Sequence, residues 1–163
     1  MAASGGTILY RDRKFGFTLK FPEYWRRYTV MSRKNDMLDA EYTVHFIFKY
    51  RGKTYGPVLS VIVFRMTRKE WVDQGYEDSP LRFIAEHDKH VFAYDTPEEL
   101  PSEFIDKKTG DYDYVKYGKQ IRLMKRMVNR DVPLIVKTMR FPVKKVTLEP
   151  SPYLSKRIKV PRC

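Results

Sequence analysis

Large apolar residues alternate with small or polar ones over residues 15–21, where Phe15, Phe17, Leu19 and Phe21 share one parity and Gly16, Thr18 and Lys20 the other. A period of two marks a strand buried on one face. Pro22 ends the alternation. Because proline suits the first turn of a helix, residues 22–25 are expected to form a short helical turn that returns Trp25 to the sheet as a core anchor. A second strand is expected over 28–32, followed by a polar turn at 33–36. The clearest one-sided strand is 40–50: Tyr42, Val44, Phe46, Phe48 and Tyr50 lie on one face, and Thr43, His45 and Lys49 on the other. Gly52 supplies a hairpin turn within 51–54, and residues 58–66 then carry apolar side chains on both faces, as a central strand covered from both sides does.

Beyond the central strand the period changes. Thr67 and Glu70 have capping-box spacing, which predicts a short helix over 68–75 that carries Trp71 and ends at Gly75. Ser79-Pro80 predicts a further helical turn through Leu81, Phe83 and Ile84, residues 91–94 a short strand, and Thr96-Pro-Glu-Glu99 a helix start. Pro101 and Gly110 make most of 98–110 a loop. Tyr114, Tyr117, Ile121, Met124 and Val128 recur at spacings of three and four, which predicts a helix over 112–128. Asp131 and Pro133 interrupt it, and 134–141 is expected as a last strand. After Phe141, Pro142, Pro150, Pro152 and Pro161 leave an extended tail. Hairpins at the start require antiparallel pairing. The fold class expected is α+β, a mostly antiparallel sheet flanked by helices, in a single domain over 8–141 with a basic, proline-containing tail over 142–163.

Composition supports one folded core. The chain has 163 residues, 42% hydrophobic and 15% aromatic, too rich in large apolar groups for a disordered chain. Charge adds a second theme: 32 Lys+Arg against 20 Asp+Glu give +12, which favours polyanions such as nucleic acid, anionic lipid or cell-wall polymer without choosing among them. The tail contributes Lys144, Lys145, Lys156, Arg157, Lys159 and Arg162 against Glu149, a net of +5, leaving +7 for the rest. No apolar run reaches the roughly 18 residues that cross a bilayer, and no leader pattern is visible. The location expected is extracytoplasmic if a leader was removed and cytoplasmic otherwise, and residues 1–6 read as a disordered terminus or a remnant. Cys163, the one cysteine, excludes an internal disulfide and reads as a frayed terminal thiol.

Catalytic constellations are weak. His87 and His90 are spaced as one helical turn beside Glu86 and Asp88, but no third ligand has usable spacing, so neither a metal site nor a cofactor is expected. His45 shares a polar strand face with Lys49. No Gly-x-Ser-x-Gly phrase marks a nucleophile, Gly52-Lys53-Thr54 joins two strands instead of opening a helix, and Glu98 and Glu99 suit a helix dipole better than acid–base work. The chain is therefore expected not to be an enzyme. The remaining constellation is basic and aromatic: Lys116, Lys119, Arg122, Lys125, Arg126 and Arg130 among Tyr112, Tyr114 and Tyr117. Cations on one helix can contact phosphates and exposed tyrosines can stack on bases. The plainer reading turns the tyrosines into the core and leaves the charges solvated.

The run from Tyr10 to Trp25, with Phe15-Gly-Phe-Thr-Leu-Lys-Phe-Pro22, resembles the opening of PsbP-like domains of small surface or lipoprotein-type proteins from Bacillus relatives. The strand Val61-Ile-Val-Phe64 followed by a Trp-bearing helix, and the stretch 117–136, are compatible with that group, so the resemblance covers about 8–141. It implies an α/β/α sandwich around an antiparallel sheet and a noncatalytic accessory role, and it supplies no functional residues. Two functions are carried forward. One is a noncatalytic binding or accessory module that meets a protein partner or an anionic polymer. The other is a nucleic-acid or polyanion-binding domain that uses the basic helix and tail.

Overall fold

The computed structural model describes residues 5–35, 37 and 39–143. Residues 144–163, with most of the basic tail and Cys163, lie outside the described residues, as do residues 1–4 and Asp36 of the expected 33–36 turn.

Five strands form one antiparallel sheet: β3 (Thr29–Ser32), β4 (Tyr42–Tyr50), β5 (Lys53–Phe64), β6 (Arg82–His87) and β7 (His90–Asp95), in the order β3-β4-β5-β7-β6. β1 (Thr7–Arg11) and β2 (Thr18–Pro22) make a separate antiparallel ribbon, with Ile8 opposite Phe21 and Tyr10 opposite Leu19. The ribbon lies on one sheet face through aromatic contacts, Tyr10 and Phe21 on Phe46 at 5.3 and 4.8 Å and Phe17 on Phe92 at 5.6 Å between ring centres. The same face is covered further along by α3 (Tyr114–Lys125), a π-helical stretch Arg126–Asp131 and α4 (Val132–Val136), which bury Ile121, Met124, Met127, Val132 and Ile135. The opposite face buries Ile62, Phe64, Val91 and Ala93 under Trp71 of α2 (Arg68–Asp73) and under Leu81. The fold is α+β, with helices on both faces of an antiparallel sheet.

Where one residue pattern dictates one local geometry, expectation and structure agree. The apolar parity of residues 42–50 faces the larger core, and the doubly apolar run is buried from Val58 to Phe64. The β4–β5 turn places Arg51 and Gly52 at φ +48° and +78°, the geometry that fits the twist of a two-residue hairpin. The capping box forms as spaced: the Glu70 N–H donates to Thr67 Oγ1 at 3.2 Å, and the Thr67 N–H to Glu70 Oε1 at 3.3 Å.

Four expectations are corrected. Phe15 belongs to a turn and β2 begins at Thr18, because buried Asp12 accepts the backbone N–H groups of Lys14 and Phe15 at 3.0 and 2.7 Å and holds the chain bent. Its other oxygen accepts the Tyr10 and Tyr42 hydroxyls at 2.9 and 2.5 Å, which ties the ribbon to the sheet. Residues 80–84 form no helical turn; Arg82 starts β6, where pairing with β7 satisfies the backbone. Residues 96–99 start no helix, and the segment continues as loop to a single 3₁₀ turn at Ser102–Phe104. The last strand over 134–141 is replaced by α4 and one bridge between Arg140 and Thr18, since Pro133 falls where a helix tolerates proline, in its first turn.

Candidate anion-binding site

The site is assembled around a buried carboxylate. Asp131, 4% exposed, ends the π-helical stretch and accepts two hydrogen bonds from the chain around α1 (Trp25–Tyr28): one from Trp25 Nε1 at 2.9 Å and one from the Tyr24 hydroxyl. Burial, then the Asp131 carboxylate, push the Tyr24 hydroxyl well above its ordinary range, so it stays a donor. In this stretch Met127 and Asp131, four residues apart on one face, are buried while Arg126 and Arg130 stay exposed. Trp25 is the core anchor the sequence indicates, and its indole N–H fixes α1 beside the π-helical stretch that follows α3.

That fixation leaves a cavity of about 690 Å³ between α1, the β4–β5 turn and α3. Arg27, Lys49, Arg51, Lys119, Arg122 and Arg126 converge on it, and no carboxylate is among its lining residues. Among the described residues, none of these six cations makes an ion pair, whereas nearby Lys53 is neutralised by Glu103 at 2.6 Å. The remaining wall is aromatic. Tyr28 and Tyr50 lie nearly parallel, 13° between planes and 6.1 Å between centres, and Phe48 continues the series at 22° and 6.4 Å. Several cations rest over rings: Arg27 over Tyr28 at 5.5 Å, Arg51 over Tyr50 at 5.4 Å and Arg126 over Tyr24 at 4.7 Å. Such contacts hold a guanidinium without neutralising it.

Two further depressions adjoin the cavity on either side. One, of about 300 Å³, shares Tyr50, Arg51, Lys119 and Arg122 and adds Lys116. The other, of about 600 Å³, shares Tyr28, Leu123 and Arg126 and adds Lys20 and Arg130, with Glu23 and the already bonded Asp131 on its wall. Five of the six cations singled out in the sequence, Lys116, Lys119, Arg122, Arg126 and Arg130, therefore border one basic groove. Lys125 does not: it lies over Tyr114 at 5.5 Å and lines a separate small cavity with Glu98 and Glu99. Arg27, Lys49 and Arg51 join the groove from elements far away in sequence, and no local pattern marks them.

The tyrosines divide. Tyr117 packs on Phe104 at 4.9 Å, and its non-helical backbone, φ −115° and ψ 15°, kinks α3. The kink turns Tyr114 outward, 55% exposed, and moves the buried stripe to Gly118, Ile121, Met124 and Met127. The histidines are spread over strands. His87 and His90 face each other across the β6–β7 turn, not along a helix. His87 stacks on Phe141 at 4.1 Å and His90 Nε2 meets Glu41 at 2.8 Å, while His45 Nδ1 lies 2.7 Å from Ser60 Oγ. Among the described residues no three His, Cys, Asp or Glu side chains gather as a metal site, and no helix is long and apolar enough to cross a membrane.

No protein-family model, curated protein or solved structure matches the chain.

Proposed function

We propose that this protein is a noncatalytic binding module whose ligand is a polyanion laid along α3. The observation that carries the reading is the convergence of six cations on one cavity that has no carboxylate among its lining residues. Like charges held together repel, and a polyanion that displaces their counterions relieves the repulsion and gains the entropy of the released ions. The resemblance of residues 10–25 to PsbP-like domains supports the same accessory character. A neutral protein surface is the poorer fit, since it would supply no counter-charge to the six cations.

The test is the salt dependence of binding to heparin, polyphosphate and oligonucleotides, for the full chain and for the variant Lys119→Ala/Arg122→Ala/Arg126→Ala. The affinity of the native chain should fall linearly on a log–log plot against salt, and the variant should reduce that slope by about two to three. The control Arg68→Ala/Arg82→Ala removes two cations from elsewhere on the surface and should change little. Salt-insensitive binding, or equal loss in both variants, overturns the reading.

A further inference from the structure

Resting on the polyanion reading, we infer that the ligand is single-stranded nucleic acid, with bases stacking at Tyr28 and Tyr50 while phosphates run along α3. Phosphate recognition needs only cations. The cavity also offers Tyr28 and Tyr50 as two nearly parallel rings on its wall, backed by the buried Phe48. Stacked aromatic faces next to cations are what a sequence-tolerant single-strand site consists of, since every base has a π face. The exposed guanidiniums of Arg27 and Arg51 rest over these same two tyrosines, so an entering base exchanges one planar group for another and leaves the arginine free for a phosphate.

The shape selects against a duplex. The rings belong to the wall of a depression between α3 and the β4–β5 turn, whereas the bases of a duplex are already stacked on each other and present only their edges in the grooves. Arg122 near the end of α3, and Arg126 and Arg130 in the π-helical stretch that continues it, follow one another at four-residue intervals, so a strand laid along this face meets a cation at each step.

The experiment measures binding of the full chain, at one fixed ionic strength, to oligo-dT, oligo-U, a duplex of equal length and inorganic polyphosphate of equal charge. The single strands should bind about tenfold or more tighter than duplex or polyphosphate. Tyr28→Ala and Tyr50→Ala should each weaken single-strand binding roughly 5- to 100-fold and weaken polyphosphate binding far less, since they remove a stacking surface but no cation. Tyr28→Phe and Tyr50→Phe keep the ring, so they should retain single-strand affinity and serve if an alanine variant fails to fold. Equal affinity for single strand and polyphosphate, or indifference to the tyrosine variants, overturns this inference and leaves the polyanion reading standing. Failure to bind any of the four overturns both. Oligo-U above oligo-dT by tenfold would narrow the ligand to RNA and sharpen the inference.

Discussion

Two cavities of comparable size lie on this molecule and treat charge in opposite ways. The one beside α3, about 690 Å³, gathers six cations and no carboxylate. The one between α2 and the β6–β7 end of the sheet, about 510 Å³, sets Arg68 and Arg82 among Glu77, Asp95 and Glu98. The second mixes both signs, two cations with three carboxylates. In the first, cations are held by rings and by the fold, and their balance has to come from outside. A net charge of +12 by itself says little about function; the uneven compensation of that charge says more.

The comparison breaks most forcefully at Asp131. Asp131→Ala leaves the buried Trp25 indole and Tyr24 hydroxyl without their acceptor, and each unsatisfied donor costs about 1–3 kcal/mol. We expect a loss of about 3 kcal/mol or more in urea unfolding, together with a loosened α1–α3 seam and weaker polyanion binding even where the variant remains folded. A variant that unfolds normally and binds normally would mean that the carboxylate does not hold the cavity together.

Gly118 offers a finer cut. It is a buried helical glycine, and a Cβ added there would stand 3.1 Å from Nη1 of Arg122. The obstacle is the far end of a flexible side chain, so Gly118→Ala should gain about 0.5–1 kcal/mol from the backbone. It should also make the Arg122 guanidinium give way by a few tenths of an ångström, so thermal stability rises while affinity for polyanions falls slightly. Stability and binding moving the same way would show that Arg122 does not depend on this space.

The smallest effect belongs to the cavity of mixed charge. Burial, reinforced by Glu98 against the opposing Thr96 N–H, holds the Asp95 carboxyl above its ordinary range. The folded chain therefore keeps a proton that the unfolded chain has already lost, so stability from this group is present at low pH and is lost as pH rises through the raised value. Asp95→Asn should flatten that part of the stability–pH curve and be as stable as the native chain, or slightly more so, at neutral pH, as read from urea midpoints. A clear loss of stability at neutral pH would show that the ionised carboxylate has a stabilising partner.

How much of this was legible in the sequence depended on distance along the chain. The β4–β5 hairpin, the capping box and the cations on α3 are written in residues within a few positions of each other. Residues 79–84 read as a helical turn because Ser79-Pro80 is a strong local signal, and the partner that makes 82–87 a strand, β7, follows only after the turn at Asp88 and Lys89. β1 was missed because Ile8, Leu9 and Tyr10 do not alternate; its partner β2 supplies the register. The helix stripe was misplaced at both ends, by a kink at Tyr117 and a π-helical stretch that no 3.6-residue period anticipates. The groove itself was half legible. One wall is a run of helix cations, and the other, with Arg27, Lys49 and Arg51, exists only after folding.

The Tyr24–Asp131 contact joins residues 107 positions apart. Hairpins such as β4–β5 and β6–β7 close small loops and can form early, but a contact of this span waits until nearly the whole domain has been brought together. The basic cavity is therefore among the last features to assemble, and on a growing chain it cannot exist before the helix that follows residue 113 has emerged. A nascent or truncated domain can carry a formed sheet and still lack the basic cavity.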